Sequence, residues 1–178
     1  WSFAVGTNGD TNMTAMAIMA LSEVGFSKAD QSITKALDYL KSAQNSDGGF
    51  PYDPQSSWST SSDASSDAWV ISALNKIGES PSAWTKDGQS LIDHLNTLST
   101  DAGYYEFQEG NGEDSFTPIT TSYAVIALLG KSYPVGKISA PAYPQVSYRI
   151  AGSQEDLCTG EANAPNALEL VKIVADKC

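Results

Sequence analysis

Two aspartates four residues apart are the pair in this sequence best suited to acid–base chemistry. Asp63 and Asp67 share one face of a predicted helix, because residues at i and i+4 are neighbours on a helix surface. Two close carboxyl groups oppose each other's ionisation, so one of them can gain a raised pKa and act as a general acid. Aspartate is also a preferred N-cap residue, and capping is the alternative role for the pair.

The same polar positions recur in two other parts of the chain. Asp10 and Thr14 begin one apolar helical segment. Thr117 and Thr121 begin another, at the same spacing as the aspartate pair. Helix N-termini attract carboxylates and anions, so a pattern present in three places fits capping better than one active site.

Few residues offer themselves as ligands for a metal or a cofactor. Zinc needs three or four N, S or O ligands, whereas the chain has one histidine, His94, in a predicted outer helix. Acidic loops at residues 8–10, 45–48 and 109–114 supply oxygens of the kind that calcium accepts. None has the spacing of a known calcium loop, and turn formation is the favoured explanation. We expect no metal and no cofactor.

An internal repeat must position these polar residues. Residues 15–21, 68–74 and 122–128 are copies of one apolar segment, and their closing leucines lie 53 and 54 residues apart. A period of this size is typical of stacked supersecondary units, none of which buries its apolar face alone.

The two predicted helices of a unit differ in character. Ile33, Ala36 and Leu40 form an apolar stripe on one face of the helix at residues 32–41. The helix at residues 68–77 is apolar on nearly every side, which is typical of a buried helix. We therefore predict an all-α fold in which amphipathic outer helices surround buried inner helices.

The segment that joins the helices resembles a known signature. Gln44, Gly48 and Phe50 end a stretch, residues 35–50, that resembles the Gln/aromatic repeat of terpenoid cyclases, with Phe where Trp is usual. Similar helical units build the β subunits of protein prenyltransferases and the barrel of transcobalamin-type carriers. The resemblance covers roughly residues 1–133. It implies an α/α toroid, of which this chain holds an incomplete part.

The signature residues also have structural roles on physical grounds. The amide of Gln44 can pair with backbone groups left free at helix ends. Gly48 and Gly49 permit positive φ in the turn, and Phe50 fills the gap between hairpins. We assign the partial toroid, about two and a half hairpins, to residues 1–135.

The resemblance implies no single activity, because this fold carries unrelated functions. Class II terpenoid cyclases carry an Asp-x-Asp-Asp acid, and the segment from Asp63 to Asp67 lacks the adjacent aspartates. We therefore predict a noncatalytic ligand-binding or interaction module and lean against an enzyme. The alternatives are a fragment of a cyclase-like or prenyltransferase-like enzyme acting on a polyprenyl substrate, a cobalamin-type carrier, and a structural spacer.

Aromatic residues are the candidates for ligand binding. Trp69, Tyr123 and Met16 occupy the same repeat position in the three inner helices. If this face lines a cavity, it suits a terpenoid, a corrin or a sugar; if it faces the outer helix, the same residues belong to the core. Trp58 and Trp84 lie in loops and are candidates for stacking or hairpin closure. The expected ligand is a small apolar or aromatic molecule.

Charge and composition narrow the partners and the location. Ten Lys and Arg against 21 Asp and Glu give a net charge of −11, which repels phosphate backbones and argues against nucleic acid. No apolar run is long enough to span a bilayer. Loops rich in Ser, Thr, Asn, Asp and Gly are typical of secreted or cell-surface proteins. We expect a fragment of a longer chain, with further repeats or a second copy covering its first helix.

Residues 136–178 depart from the helical pattern. Residues 145–150 alternate like a strand, residues 159–161 indicate a turn, and residues 166–174 have helical spacing. A strand followed by a helix is similar to the start of the β domain that follows the toroid in transcobalamin-type proteins. The resemblance implies a linker and the beginning of a small α+β module.

Two further expectations concern the end of the toroid and the cysteines. Residues 133–136 contain a proline and a glycine and are expected to end the third inner helix. Cys158 and Cys178 bracket the last predicted helix, and we predict a disulfide between them. Two reduced thiols are the alternative.

Overall fold

The computed structural model describes residues 1–57, 59–135, 145–151 and 156–163, the last two ranges by their backbone alone. The chain divides into two compact units between residues 135 and 136. None of the described helices is long and apolar enough to cross a membrane. The helices of the first unit are α1 (Thr11–Glu23), α2 (Gln31–Ala43), α3 (Ala64–Ile77), α4 (Leu91–Thr97) and α5 (Thr117–Leu128).

The helices of the first unit form two layers. Helix α3 packs against α1 and against α5, and these three make the inner layer. Helix α2 packs on α1, and α4 packs on α3, from the outer side. A 3-10 turn at Pro81–Ala83 and two short paired strands, β1 (Thr85–Lys86) and β2 (Gln89–Ser90), lead into α4. The predicted all-α fold of inner and outer helices is confirmed.

Burial explains why the two layers form. On α2, Ile33 and Leu40 are fully buried while Lys41 is exposed, as expected of an amphipathic outer helix. On α3, Val70 and Leu74 are both fully buried, since this helix has neighbours on several sides. Burial of one such side chain contributes about 1.5–3 kcal/mol, so the inner layer supplies much of the stability of the unit.

The glycine-aromatic loop joins the first hairpin to the second. The Nε2 of Gln44 donates to the carbonyl oxygens of Gly48, at 2.8 Å, and Trp84, at 3.0 Å. Gly48 has φ of +87°, and a Cβ there would lie 2.7 Å from the carbonyl oxygen of Ser90. Phe50 is fully buried with its ring centroid 6.3 Å from that of Trp84. The loop therefore has the structural roles that the sequence indicated.

Backbone hydrogen bonds also join each of the first two inner helices to the loop that follows its outer helix. The amide of Thr11 donates to the carbonyl of Tyr52 at 3.0 Å, and the amide of Ala64 donates to that of Phe107 at 2.9 Å. Both donors stand at the first position of an inner helix, where amides lack intrahelical partners. Thr117 holds this position in α5, and its amide donates to the carbonyl of Asp114 at 3.2 Å and to Oδ1 of the same residue at 2.9 Å. Pro118 follows at the second position and has no amide hydrogen to place.

Helix α5 ends earlier than the sequence indicated. It stops at Leu128, and Gly130 follows with φ of +68°. The expected end at residues 133–136 is wrong, because the left-handed glycine terminates the helix before the proline is reached.

The second unit contains a strand pair in its described part. Strands β3 (Gln145–Ala151) and β4 (Asp156–Asn163) run antiparallel, with Tyr148 opposite Gly160. The predicted strand at residues 145–150 is confirmed. The predicted turn at residues 159–161 is wrong, since strand pairing overrides the turn propensity of these residues.

Two expectations for the second unit stay untested. The predicted helix at residues 166–174 lies outside the described residues, as does Cys178. Cys158 lies in β4, where only the backbone is described. The disulfide therefore remains a prediction.

Candidate functional site

Asp63 is the N-cap of α3. Its Oδ1 accepts from the amide of Ser66 at 2.8 Å, and its Oδ2 accepts from the hydroxyl of the same residue at 2.7 Å. Burial raises the pKa of Asp63 to about 7, against the opposing hydrogen bonds from Ser66 and with a smaller contribution from the charge of Asp67. Both carboxylate oxygens are thus used within the helix end.

Asp67 connects three elements below the surface. It is fully buried and accepts from the amide of Phe50 at 2.7 Å and from Nδ1 of His94, in α4, at 2.5 Å. Burial raises its pKa to about 6, while the hydrogen bond and the charge of His94 oppose that shift.

His94 completes the connection from the outer layer. Burial alone would lower the pKa of His94, but the hydrogen bond to Asp67 and the charges of Asp67 and Asp47 outweigh it, so the pKa is raised. Its Nε2 lies 3.6 Å from Oδ2 of Asp47. Gly49 packs against the ring so closely that a Cβ there would lie 2.3 Å from Nδ1. The imidazole joins α4 to α3 and to the glycine-aromatic loop.

These contacts bear on the acid–base hypothesis. Asp63 is 2% exposed and Asp67 is fully buried, so neither carboxyl group presents itself to a substrate. His94, by contrast, lines a polar cleft of about 500 Å³ together with Asp47 and Gln108. Catalysis by the two aspartates stays a hypothesis that their structural hydrogen bonds do not favour.

An aromatic cluster lies on the other side of the inner helices. The ring centroid of Trp69 is 5.1 Å from that of Tyr123 and 4.8 Å from that of Tyr133. We call these three residues the aromatic cluster. Two residues advance about 200° around a helix, so Trp69 lies opposite Asp67, the residue that faces α4. The cluster therefore lies on the face of the inner layer that the outer helices leave open.

The other aromatic candidates have different surroundings. Met16 is half-buried on α1, at the repeat position of Trp69 and Tyr123. Trp84 is 6% exposed and belongs to the closure of the second hairpin. Trp58 lies outside the described residues.

Sequence reasoning missed the pairing of Asp67 with His94. His94 is the repeat equivalent of Tyr39, whose hydroxyl donates to the carbonyl of Gly9 at 2.6 Å. Asp67 is likewise the equivalent of Thr14. Comparing the units position by position would have shown an acid and a base replacing two neutral residues at adjoining places.

Tyr133 was missed for a different reason. Its amide donates to Sδ of Met19 at 3.4 Å, and the carbonyl of Lys131 accepts from Nδ2 of Asn75 at 3.2 Å. These contacts carry the segment after α5 across the inner face. Tyr133 belongs to no repeat, so no periodicity pointed to it.

Comparison with known families finds a match. A family model described as squalene-hopene cyclase C-terminal domain matches residues 6–113. Comparison with curated proteins finds no match. The matched range contains α1 to α4 and more than half of the chain.

Proposed function

The chain belongs to the squalene-hopene cyclase C-terminal domain family, and from this we propose that it is a terpenoid cyclase-like module that binds an apolar polyprenyl chain. The observation that carries the proposal is the aromatic cluster on the open face of the inner helices. Aromatic rings present large apolar surfaces, and their negative faces also stabilise positive charge.

An apolar cleft continues from the cluster. Tyr123 lines it together with Phe107, Phe116 and Ile119, and its volume is about 470 Å³. Clefts of 300–1,000 Å³ with mainly apolar walls are typical ligand sites. An isoprenoid chain would extend from the rings of the cluster along this cleft.

The nearby acids do not support a proton-transfer step by these residues. Asp63 and Asp67 already accept hydrogen bonds from other groups of the chain. Asp114 lies at the cleft, and its Oδ1 accepts from the amides of Phe116 and Thr117 at 2.8 and 2.9 Å. The Oδ1 of Asp114 is therefore engaged at the start of α5. We therefore propose that the aromatic cluster and the apolar cleft bind the substrate chain. Any acid chemistry would belong to other residues.

A second candidate is a noncatalytic ligand-binding module of a secreted or cell-surface protein. The hydrogen bonds within the chain that engage Asp63, Asp67 and Asp114 favour a noncatalytic role. The loop composition supports a secreted or cell-surface location. Further repeats, or a second copy, are proposed as partners of the inner layer.

Ligand titration with product analysis separates the two candidates. We expect polyprenyl diphosphates and the matching polyprenols to quench tryptophan emission with saturation, because Trp69 lies in the cluster. The Tyr123→Leu variant should weaken binding about tenfold, since the aromatic ring and its apolar contact are lost. Tyr104→Leu, the same substitution at a half-buried tyrosine outside the cluster, is the control.

Each outcome decides between the candidates. Binding with a cyclised or hydrolysed product supports the cyclase-like function, and binding without product supports the noncatalytic module. Saturation with cobalamin and not with polyprenyl chains would favour a carrier and contradict the main proposal. Equal loss in the Tyr104→Leu control, or no binding at all, would remove the aromatic cluster as the site.

A further inference from the structure

A buried carboxylate oxygen in the first hairpin lacks a partner. Asp10 is the N-cap of α1 and is 3% exposed. Its Oδ1 accepts from the amide of Met13 at 2.6 Å, whereas its Oδ2 is buried without a hydrogen bond. Buried polar atoms are nearly always paired, and the cap supplies no partner for this oxygen.

The second hairpin shows how the same cap is completed. Asp63 is the repeat equivalent of Asp10, and the hydroxyl of Ser66 donates to its Oδ2. Met13 takes the place of Ser66 in the first hairpin and has no hydroxyl. Capping alone therefore uses both oxygens of Asp63 and only one oxygen of Asp10.

Asp10 lines a cleft that contains a second carboxylate. The cleft has a volume of about 510 Å³, and we call it the Asp10 cleft. Asp53 lies in its wall at a position where the second hairpin has the neutral residue Gln108. The polar side chains that line the Asp10 cleft are those of Thr7, Asn8, Asp10, Tyr52 and Asp53.

Two carboxylates shape the electrostatics of this region, and the ammonium group of Trp1 offsets the charge of Asp10 only in part. Burial first, and then the charges of Asp10 and Asp53, raises the pKa of Tyr39 to about 12. Burial raises the pKa of Asp10 itself; the amides of Met13 and Phe3 oppose that shift, but neither donates to Oδ2. A bound cation would pair the free oxygen and offset both charges.

We propose that the Asp10 cleft binds a hard divalent cation of the calcium class through Asp10 and Asp53. Calcium accepts six to eight oxygen ligands, among them carboxylates, amide and backbone carbonyls and water, and the lining of the Asp10 cleft supplies oxygens of these kinds. The net charge of −11 favours cations in general.

The number of carboxylates sets the expected affinity. Among the residues that the structure describes, no group of three or more His, Cys, Asp or Glu side chains comes together. With two carboxylates, the site belongs with the weakest calcium modules, whose dissociation constants are on the order of 10⁻⁴–10⁻³ M. Part of the coordination shell would be water.

Terbium luminescence tests the proposal directly, because Tb³⁺ substitutes for Ca²⁺ and is excited through nearby tyrosines. Tyr52 lines the Asp10 cleft and supplies that excitation. We expect saturable emission that millimolar Ca²⁺ displaces. Asp10→Asn and Asp53→Asn should each raise the dissociation constant at least about tenfold.

The repeat supplies matched variants. Asp63→Asn makes the same substitution at the equivalent cap and should leave terbium binding unchanged. Met13→Ser gives Asp10 the hydroxyl that Asp63 already has, and should weaken terbium binding severalfold by pairing Oδ2 within the chain. Asparagine is itself a good N-cap, so Asp10→Asn is expected to fold, and circular dichroism checks this.

The overturning results are equally specific. Absence of saturable emission from the wild-type chain would mean that Oδ2 has no cation partner. Emission that survives both Asp10→Asn and Asp53→Asn, or falls equally in Asp63→Asn, would place the ion elsewhere. If Asp10→Asn fails to fold, Asp53→Asn decides, together with a Ca²⁺-dependent rise in Tm that this variant should lose.

Discussion

The first and second hairpins share one backbone design and differ in the polar groups that it carries. At one position the outer helix of the first hairpin presents Tyr39, bonded to a backbone carbonyl, and that of the second presents His94, bonded to Asp67. At the helix cap, Asp10 keeps a free oxygen whereas Asp63 does not. The repeat therefore preserves hydrogen-bond geometry and leaves chemical character free to change.

The difference also has energetic consequences. A buried ion pair is costly to desolvate, and it stabilises only while both partners are present. The neutral hydrogen bond from Tyr39 to Gly9, at the equivalent place in the first hairpin, carries no such penalty. The second hairpin is therefore expected to be the more sensitive to substitution and to pH.

The largest effect is expected when the buried pair is broken. Asp67→Ala removes the acceptor of both the Phe50 amide and His94, and should lower the free energy of unfolding by about 3–5 kcal/mol. Thr14→Val, at the equivalent position, removes a hydroxyl that donates to the carbonyl of Asp10 and should cost about 1 kcal/mol. Urea denaturation of both variants measures the ratio. Equal losses would show that the hairpins do not differ in this way.

The glycines of the two loops provide a smaller contrast. Gly48 and Gly103 are equivalent, with φ of +87° and +86°. Gly48→Ala adds a contact of 2.7 Å with the Ser90 carbonyl to the backbone strain and should cost about 3 kcal/mol, whereas Gly103→Ala meets open space and should cost about 1–2 kcal/mol. Thermal melting tests the order, and a larger loss at Gly103 would contradict it.

The smallest effect concerns pH. The folded chain holds the proton of Asp63 up to a pKa of about 7, well above its value when unfolded. This contribution to stability is complete below about pH 4 and is lost as the pH rises through 7. Asp67 and His94, both with raised pKa, act in the same direction.

Asp63→Asn isolates that contribution. Asparagine keeps the cap but does not ionise, so the variant should equal the wild type near pH 4 and exceed it by at least about 2 kcal/mol near pH 8. Chemical denaturation at both pH values measures the difference. A variant that tracks the wild type at both would mean that Asp63 ionises normally in the folded chain.

The fold was largely predictable, because its causes lie in local patterns. The stripe at Ile33 and Leu40 and the apolar α3 specify an amphipathic helix over a buried one, and the repeat multiplies that unit. Family membership confirms the resemblance to terpenoid cyclases. The turn predicted at residues 159–161 failed, since pairing with a distant strand overrode local propensity.

The site was predictable only in part. The shared position of Trp69 and Tyr123 was evident from the repeat. Tyr133 joins the aromatic cluster because of the path that the chain takes after α5. That path is set by tertiary packing, and no periodicity in the sequence indicates it. The hydrogen bond between Asp67 and His94 likewise depends on packing between the inner and outer layers. The positions of the charged residues in the sequence do not show which of them will meet.

The backbone bonds at the starts of α1 and α3 close each of the first two hairpins into a ring of its own. The amides of Thr11 and Ala64 each donate to a carbonyl of the loop that follows the outer helix of the same hairpin, at Tyr52 and Phe107. Thr117 at the start of α5 donates instead to Asp114, three residues before it. Loosening the loop at Phe107 would therefore also free the start of α3, whereas the start of α5 keeps its local partner. Because a hydrogen bond stabilises both of its partners, loosening the start of α3 would free the same loop in turn.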